Sequence, residues 1–182
     1  MAGMQNYAPT LRKSTNRCTW LLCTIVLLLT ARQGQAATQP PAVVGLWRVM
    51  DGSGKGPISL VALSERDGVV SGTVMRVMRS SQGEHPVCQA CKGPLQNQAV
   101  VGMTVVWGLK QEGAKPVWSG GSVLDPGNGQ TYKCKATLRD ANTLELRGFL
   151  GISLLGRTQV WQRAEASELT APLTPAAPVA KG

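Results

Sequence analysis

Three cysteines and one histidine are the side chains of this sequence best suited to metal or redox chemistry. Cys88 and Cys91 form a C-x-x-C pair, His85 precedes them, and Cys134 follows later in the chain. Together they would supply a Cys₃His zinc site, which has the ligand number of a closed structural site. The C-x-x-C pair alone would serve as a redox pair or close a disulfide.

The surroundings of the pair weigh against two kinds of site. A zinc ribbon normally shows two paired motifs, whereas Cys134 stands alone. No β-α-β pattern of the thioredoxin type surrounds the pair, and Lys92 stands where a haem attachment site requires histidine. The metal and redox interpretations stay open, but neither is favoured.

Acid–base or hydrolytic catalysis finds little support in the sequence. His85 is the only histidine. Four aspartates lie in turn sequences, where aspartate is favoured because its carboxylate bonds the nearby backbone: Asp51, Asp67, Asp125 and Asp140. No phosphate-binding loop, dinucleotide fingerprint or metalloprotease motif is present. We therefore do not expect an enzyme, and we expect neither a cofactor nor a metal centre.

Residues 1–36 have the organisation of an export signal. Basic residues precede an apolar run, Cys18–Thr30, which is too short to span a bilayer as a helix. Gly34 and Ala36 place small side chains at the positions that a signal peptidase inspects. The alternative, an uncleaved anchor, is disfavoured by the short run. We expect a periplasmic or secreted protein without stable membrane insertion after cleavage.

Export makes a disulfide the default state of paired cysteines, because disulfides persist in oxidising compartments. The sequence therefore predicts a Cys88–Cys91 disulfide. Cys134 is then the odd thiol.

The charge pattern argues against nucleic-acid binding. The formal net charge is +9, and removal of residues 1–36 takes away four of the 19 basic residues and no acid, which leaves +5. The remaining basic residues are scattered, whereas nucleic-acid binding usually needs a clustered basic face. We read the charge as a contribution to solubility.

Both flanks of the remaining chain are poor in large apolar residues. Residues 165–182 consist largely of Ala, Pro and Thr, and cannot bury enough apolar surface to offset their ordering entropy. We expect them to be a disordered tail. Residues 37–42 are a short lead-in of the same kind, so the predicted folded domain spans residues 43–164.

Strands, rather than helices, fit the pattern inside this domain. Residues 131–138 and 143–150 alternate apolar and polar side chains, which is typical of half-buried strands. Turn sequences rich in Asp, Gly and Asn separate the runs. The predicted strands are residues 44–51, 57–65, 69–78, 100–109, 116–124, 131–138, 143–150 and 158–164.

Eight sequential strands with short turns predict an all-β, antiparallel, up-and-down arrangement. Closure into an eight-stranded barrel would remove the exposed edges, and a two-sheet sandwich is the alternative. The interior of such a barrel is filled by side chains or holds one small ligand.

Two segments depart from this pattern. Val100–Leu109 is apolar on both faces, which predicts that a loop or a partner covers its outer face. Residues 151–156 are apolar where a polar turn is expected. They either fold over one end of the barrel as a plug or form a loop that docks on a partner or touches a membrane.

Several motifs occur in a specific order along residues 43–164. They are Gly45-Leu46-Trp47, Cys88-Gln89-Ala90-Cys91-Lys92-Gly93, Val106 to Lys110, Trp118-Ser119-Gly120-Gly121, Leu124-Asp125-Pro126, Tyr132 to Lys135, and Gly148 to Gln159. The ordered set resembles the domain of unknown function family numbered 2147 (DUF2147), a group of small exported bacterial proteins. The resemblance implies a lipocalin-like (calycin-like) barrel and a periplasmic address. It implies no settled activity and therefore no catalytic residues.

The motif Gly45-x-Trp47 also resembles the opening of lipocalin-type barrels. There the glycine lets the chain bend, and the tryptophan closes the barrel floor under an arginine from the last strand. By this resemblance, Arg163 is expected to stack on Trp47 through a cation–π contact, with Arg157 as the less favoured candidate.

A ligand cavity is the remaining expectation. Trp107 and Tyr132 are predicted to line it, with Arg157 as a polar anchor at its mouth, because ligand pockets pair apolar walls with few polar groups. Small residues at several predicted inward positions would leave the space for a ligand: Gly72, Gly102, Gly121, Ala136 and Gly148.

We therefore expect a binding module for a small apolar or amphipathic ligand. The alternative is an envelope interaction protein with a filled barrel, which docks a partner through an apolar strand or loop.

Overall fold

The computed structural model describes residues 42–172. Within them lie eight β-strands and three short 3₁₀ helices. The strands are β1 Gly45–Met50, β2 Pro57–Arg66, β3 Val69–Val77, β4 Thr104–Gln111, β5 Val117–Asp125, β6 Gln130–Leu138, β7 Thr143–Phe149 and β8 Gly156–Arg163. The 3₁₀ helices are Gly93–Leu95, Ser153–Leu155 and Ala166–Leu169. The expected export signal, residues 1–36, and the last part of the expected tail, residues 173–182, lie outside the described residues.

The strands form a closed barrel in which each strand pairs with its neighbours in sequence order. All of these pairings are antiparallel. The seam between β1 and β8 pairs Trp47 with Arg163 and Val49 with Trp161. The predicted up-and-down barrel is therefore confirmed, and the sandwich is not formed.

Alternation along β6 and β7 decides which side chains enter the core. Cys134, Ala136 and Leu138 are buried, whereas the intervening Lys135 and Thr137 are not. Leu144 and Leu146 lie opposite Leu138 and Ala136 and are buried with them. Truncating a buried leucine of this kind to alanine typically costs about 2–5 kcal/mol, so this apolar face contributes strongly to stability.

Strand β4 differs from its prediction. It begins at Thr104 rather than at residue 100, and Val101 is exposed in the preceding connection. The register shifts between Gly72 and Thr73 of β3, which is a bulge. As a result Val105 and Val106 are both buried, although they are adjacent in sequence.

The residues after β8 are ordered further than predicted. Ala166–Leu169 forms a 3₁₀ helix with a capping box between Glu165 and Glu168. The Glu168 carboxylate accepts two hydrogen bonds from the Arg48 guanidinium, at 2.6 and 2.9 Å. Arg76 donates to the Glu168 carbonyl oxygen at 2.6 Å. The prediction of disorder from residue 165 is therefore wrong for this segment, because polar contacts fix it where apolar burial does not.

Candidate functional site

The barrel holds a cavity of about 1080 Å³. Its lining includes residues from four connections that lie at the same end of the barrel: β1–β2, β3–β4, β5–β6 and β7–β8. We call this end the mouth. The opposite end, the floor, holds the start of β1 and the end of β8.

The floor is closed by Trp47 and Arg163. The guanidinium carbon of Arg163 lies 4.2 Å from the centroid of the Trp47 ring, which is a cation–π contact. Trp47 is fully buried, and its indole N–H donates to the Val43 carbonyl at 2.9 Å. Arg163 also donates to three backbone carbonyls, those of Ala42, Val44 and Ala141.

Gly45 opens β1 beside this stack with a φ of 135°, a conformation that side chains with a Cβ rarely adopt. The three residues expected at the floor therefore lie together. Arg157, the other candidate for this position, lies at the mouth instead. Desolvation lowers the pKa of the Arg163 guanidinium from its ordinary value, and the nearby Glu165 opposes the shift.

Most of the cavity wall is apolar; β8 contributes polar side chains to it, and the connections at the mouth contribute others, among them Asp51, Arg79 and Asp125. The apolar lining consists mainly of Val49, Val61, Val74, Val105, Val123 and Leu146. On β8 the alternate residues Arg157, Gln159 and Trp161 face the cavity, as a period of two requires. The Trp161 indole N–H donates to Gln159 Oε1 at 3.4 Å. Gln159 was not predicted as a cavity residue, although the alternation along β8 places it on the same face as Arg157 and Trp161.

Gly148 makes room beside Arg157. It lies directly opposite Arg157 on one side and Cys134 on the other, so all three positions face the interior. A Cβ at Gly148 would meet only ordinary contacts, with Val123 at 3.5 Å and Tyr132 at 3.6 Å. The missing side chain is thus replaced by cavity space.

The other glycines of this set leave no comparable space, and Ala136 is fully buried and does not line the cavity. Neighbouring side chains already fill the space at two of them, with Leu63 and Val106 against Gly72 and Leu109 against Gly121. Gly102 lies exposed in the β3–β4 connection. Only part of the small-residue pattern therefore contributes to the cavity.

Tyr132 and Arg157 border the cavity near its mouth, as expected from the sequence. The Tyr132 hydroxyl accepts a hydrogen bond from Asn128 Nδ2 at 3.0 Å and donates to Gln130 Oε1 at 3.2 Å. Within residues 42–172 the exposed Arg157 guanidinium makes no hydrogen bond or ion pair. It is available to a ligand.

Trp107 lies elsewhere. Its side chain is 39% exposed and it is not among the residues that line the cavity. Unbroken alternation from Val101 to Trp107 would place the Trp107 side chain on the same face as Val105, inside the barrel. The bulge at Val105–Val106 breaks it and turns Trp107 to the outer face of the barrel.

An ion pair ties the β1–β2 turn to the end of β3 at the rim. Arg79 Nη2 lies 2.8 Å from Asp51 Oδ2, and Arg79 also donates to the carbonyls of Lys55 and Gly56. The pKa of Asp51 is lowered, mainly by hydrogen bonds from the Ser53 backbone and hydroxyl and to a smaller extent by Arg79. The turn is thereby held against one side of the mouth.

Cys88 and Cys91 are joined by a disulfide, and both are buried. The bond supports the predicted pairing over the metal interpretation, and the burial of both cysteines argues against a reactive redox pair. Cys134 lies apart from them in β6, and no group of His, Cys, Asp or Glu within residues 42–172 is placed to hold a metal ion.

The disulfide segment packs against the β5–β6 turn. A Cβ at Gly129 would come within 2.0 Å of the Ala90 carbonyl oxygen, so the two backbones touch there. The same connection is held by the bridge between Val87 and Ala99, and Val87 lines the cavity. The disulfide therefore helps to shape one wall of the mouth.

Cys134 is a free thiol facing the core, 1% exposed. Burial raises its pKa to about 12. Because the thiolate is the reactive form, this cysteine is chemically inert in the folded protein.

The apolar segment between β7 and β8 is not a plug. Leu150, Ile152, Leu154 and Leu155 are all exposed, although Leu150 and Leu155 border the cavity mouth. The expectation that this segment folds over the end of the barrel is therefore wrong. Its 3₁₀ turn holds the side chains outside.

Comparison with known proteins agrees with this fold. Residues 45–163 match the family described as uncharacterized protein conserved in bacteria (DUF2147). The barrel is similar to a solved Helicobacter pylori protein described as belonging to the lipocalin family, with 19% identity and a TM-score of 0.58 over 70% of this chain and 86% of that chain. A search of the curated proteins found no significant match. None of the helices in residues 42–172 is long and apolar enough to cross a membrane.

Proposed function

This chain belongs to the DUF2147 family, and from its lipocalin-like barrel we propose that it binds a small amphipathic molecule inside the barrel. The ligand's apolar chain would lie in the cavity, and its polar or anionic head group would lie at the mouth beside Arg157.

The observation that carries this proposal is that apolar side chains from several strands form most of the cavity wall. Strand β8 adds the polar side chains of Arg157 and Gln159, and the connections at the mouth add further polar groups. The valines and Leu146 offer no hydrogen-bonding group, whereas Arg157 and Gln159 offer several on one side. Binding pockets commonly combine apolar walls with a few placed polar groups and have volumes of about 300–1,000 Å³. The cavity of about 1080 Å³ is slightly larger than the upper end of that range.

The arrangement also favours one orientation of the ligand. A charged head group at the floor would have to compete with backbone carbonyls that already accept from Arg163. At the mouth, Arg157 has no protein partner among the described residues and lies opposite the open space at Gly148. An acyl chain directed inward therefore places its head group against Arg157 and keeps charge away from the floor.

We also propose that the protein works outside the cytoplasm, after cleavage behind Ala36. The support is the signal-like organisation of residues 1–36 together with a disulfide, which persists in oxidising compartments. Mass spectrometry of the periplasmic fraction should find an N-terminus at Ala37. A product that keeps residues 1–36 would contradict this.

Ligand binding is tested by filling the cavity. The protein is purified, extracted with organic solvent, and the extract analysed by mass spectrometry; the delipidated protein is then titrated with a fluorescent polyene fatty acid. Gly148→Leu should fill the mouth without strain, since its Cβ meets only ordinary contacts. We expect it to weaken binding by at least about tenfold, the equivalent of about 1.4 kcal/mol.

Ala62→Leu is the matched control, because Ala62 lies on the alternate face of β2 from the lining residue Val61 and does not line the cavity. It should bind the probe like the unmodified protein. No co-purifying molecule, together with equal affinities of the two variants, would overturn the proposal.

A filled barrel that only docks a partner would not contain such a cavity. The apolar loop expected for docking is nevertheless present beside the mouth.

A further inference from the structure

We propose that residues 150–155, here called the mouth loop, dock the barrel on an anionic lipid surface. The cavity mouth would then face the bilayer. This proposal rests on the proposed function only for the identity of the molecule that passes through the mouth, an acyl chain. The docking itself does not depend on it.

The mouth loop exposes four aliphatic side chains that are close together in the chain. Leu150, Ile152, Leu154 and Leu155 are 61%, 62%, 80% and 77% exposed. Single exposed apolar residues are ordinary on protein surfaces, but a contiguous group marks an interaction site. These four lie within six consecutive residues, and two of them border the cavity mouth.

The loop is held in this exposed form by an arginine. Arg147 Nη2 donates to the Leu154 carbonyl at 2.9 Å, and its Nη1 donates to Thr158 Oγ1 at 2.9 Å. The Leu155 N–H donates to the Ile152 carbonyl at 3.2 Å, which closes the turn. The aliphatic side chains therefore project from an anchored turn.

The charged side chains nearest the loop in the chain are mainly positive, whereas Asp51 and Asp125 lie on other connections of the mouth and Asp51 is paired with Arg79. Arg147 contacts the loop backbone, Arg157 follows it by two residues, and Lys133 lies opposite Phe149 at its base. Strand β8 contains no acidic residue. The acid of β7, Glu145, is already paired with Arg139 at 2.6 Å. Cations flanking an apolar tip match a surface of anionic head groups over acyl chains.

The chemistry of the loop favours lipid over a protein partner. Its apolar surface is a projecting tip, which a fluid bilayer can accommodate without a preformed complementary pocket. The irregular backbone limits how deeply the loop can enter the bilayer, because unpaired N–H and C=O groups do not enter the hydrocarbon region. The side chains would reach the acyl chains while the backbone stays among the head groups.

The test compares full-length chains, so that any lipid binding by the apolar run Cys18–Thr30 is common to all of them. Co-sedimentation is measured with vesicles of phosphatidylcholine alone and of phosphatidylcholine with an equal part of phosphatidylglycerol. Ile152→Ser with Leu154→Ser should lower binding to anionic vesicles by at least about tenfold, since two apolar side chains that do not line the cavity no longer transfer. Val160→Ser, an exposed apolar position on the outer face of β8, is the control and should bind normally.

Charge is tested separately. Arg157→Glu should weaken binding to anionic vesicles several-fold, whereas Lys115→Glu, which makes the same charge change in the β4–β5 turn at the floor end, should not. Binding should also fall between roughly 0.05 M and 0.5 M salt, because the Debye length shortens.

Three results would overturn the proposal: equal binding of the double serine variant, salt-independent binding that ignores phosphatidylglycerol, or concentration-dependent self-association lost in the double serine variant without vesicle binding. Fatty-acid binding from solution is measured on the same variants. If the double serine variant still binds the fatty acid but not the vesicles, the loop docks on lipid independently of ligand binding in the cavity. If Gly148→Leu loses fatty-acid binding but still binds vesicles, the cavity is needed for the ligand and not for docking.

Discussion

The guanidinium of Arg163 occupies the space into which a side chain on Gly45 would extend, with Nη1 only 2.6 Å from the position of a Cβ there. The first residue of the first strand and the last residue of the last strand therefore fit together because one of them is glycine. The barrel floor depends on this close approach.

Gly45→Ala should destabilise the protein by about 2 kcal/mol. The φ of 135° is unfavourable for alanine, and Arg163 is held by its stack on Trp47 and cannot move aside freely. Gly54→Ala is the control, because Gly54 also has a positive φ but no atom within 4 Å of its Cβ position. It should lose only about 1 kcal/mol. Urea unfolding measures both, and equal losses would contradict the packing argument.

Arg163→Lys should destabilise the floor by about 1–2 kcal/mol, because an ammonium keeps the charge but loses the planar stacking surface and several donors. Arg139→Lys provides the comparison, since Arg139 makes an exposed ion pair with Glu145. Little change is expected there. A loss at Arg163 no larger than at Arg139 would show that the stack contributes nothing.

Thiol labelling should distinguish Cys134 from the disulfide. Native protein should leave Cys134 unlabelled at neutral pH, because burial raises its pKa to about 12. Under denaturing, non-reducing conditions Cys134 should react while Cys88 and Cys91 stay protected, as peptide mapping would show. Labelling of Cys88 or Cys91 without a reductant would mean that the disulfide is not formed.

The same thiol predicts a stability change at alkaline pH. The unfolded thiol ionises near its ordinary pKa of 9.0, whereas the folded thiol stays protonated until about pH 12. The folded state therefore loses relative stability as pH rises through this window. Cys134→Ala removes the titrating group, so its stability should fall less between these pH values when both proteins are unfolded in urea. Parallel curves would contradict the prediction.

Glu168→Gln should release the segment Ala166–Leu169. At neutral pH the substitution should cost about 1 kcal/mol, since the carboxylate receives two hydrogen bonds from Arg48 but is partly exposed. The Arg48 side-chain hydrogen bond is the main cause that lowers the pKa of Glu168 below its ordinary 4.5. The contribution is therefore present above pH 4.5 and lost as pH falls through the lower folded pKa.

The difference in stability between the unmodified protein and Glu168→Gln should thus shrink on acidification. Glu84→Gln, at an exposed position in the β3–β4 connection, is the control and should show no such trend. A pH-independent difference would indicate that the Glu168 contribution is not ionic.

Arg157→Gln tests the proposed head-group contact. It should weaken binding of a long-chain fatty acid by roughly tenfold, because a hydrogen bond to a charged group contributes about 1.5–3 kcal/mol. Binding of the corresponding fatty alcohol should change little. Isothermal titration of both ligands measures the difference. An equal effect on acid and alcohol would remove Arg157 from the head-group site.

The sequence predicted the barrel well where alternation is regular. In β6 and β7, a period of two directly identified Cys134, Ala136, Leu144 and Leu146 as inward residues. The floor was also predictable, because Gly45-x-Trp47 resembles the opening of lipocalin-type barrels. In β4, by contrast, an extra residue shifts the register, and alternation no longer tells which side chains face inward.

The errors have local physical causes. A bulge at Val105–Val106 reversed the facing of Trp107, and no local composition signal marked it. The Glu168–Arg48 contact joins residues far apart in sequence, so a composition argument could not find it. The apolar composition of residues 151–156 could not decide between a plug and an exposed loop, because much of any protein surface is apolar; Leu154 is exposed.

The seam between β1 and β8 has a consequence for folding. It joins the two ends of the barrel through the pairs Trp47–Arg163, Arg48–Gln162 and Val49–Trp161. The chain between them must be closed into a single large loop before these contacts form, which slows folding in proteins rich in non-local contacts. Until β8 arrives, β1 and β7 each present an unpaired edge that invites pairing with another chain. A chain shortened before β8 should therefore aggregate rather than fold into a smaller barrel.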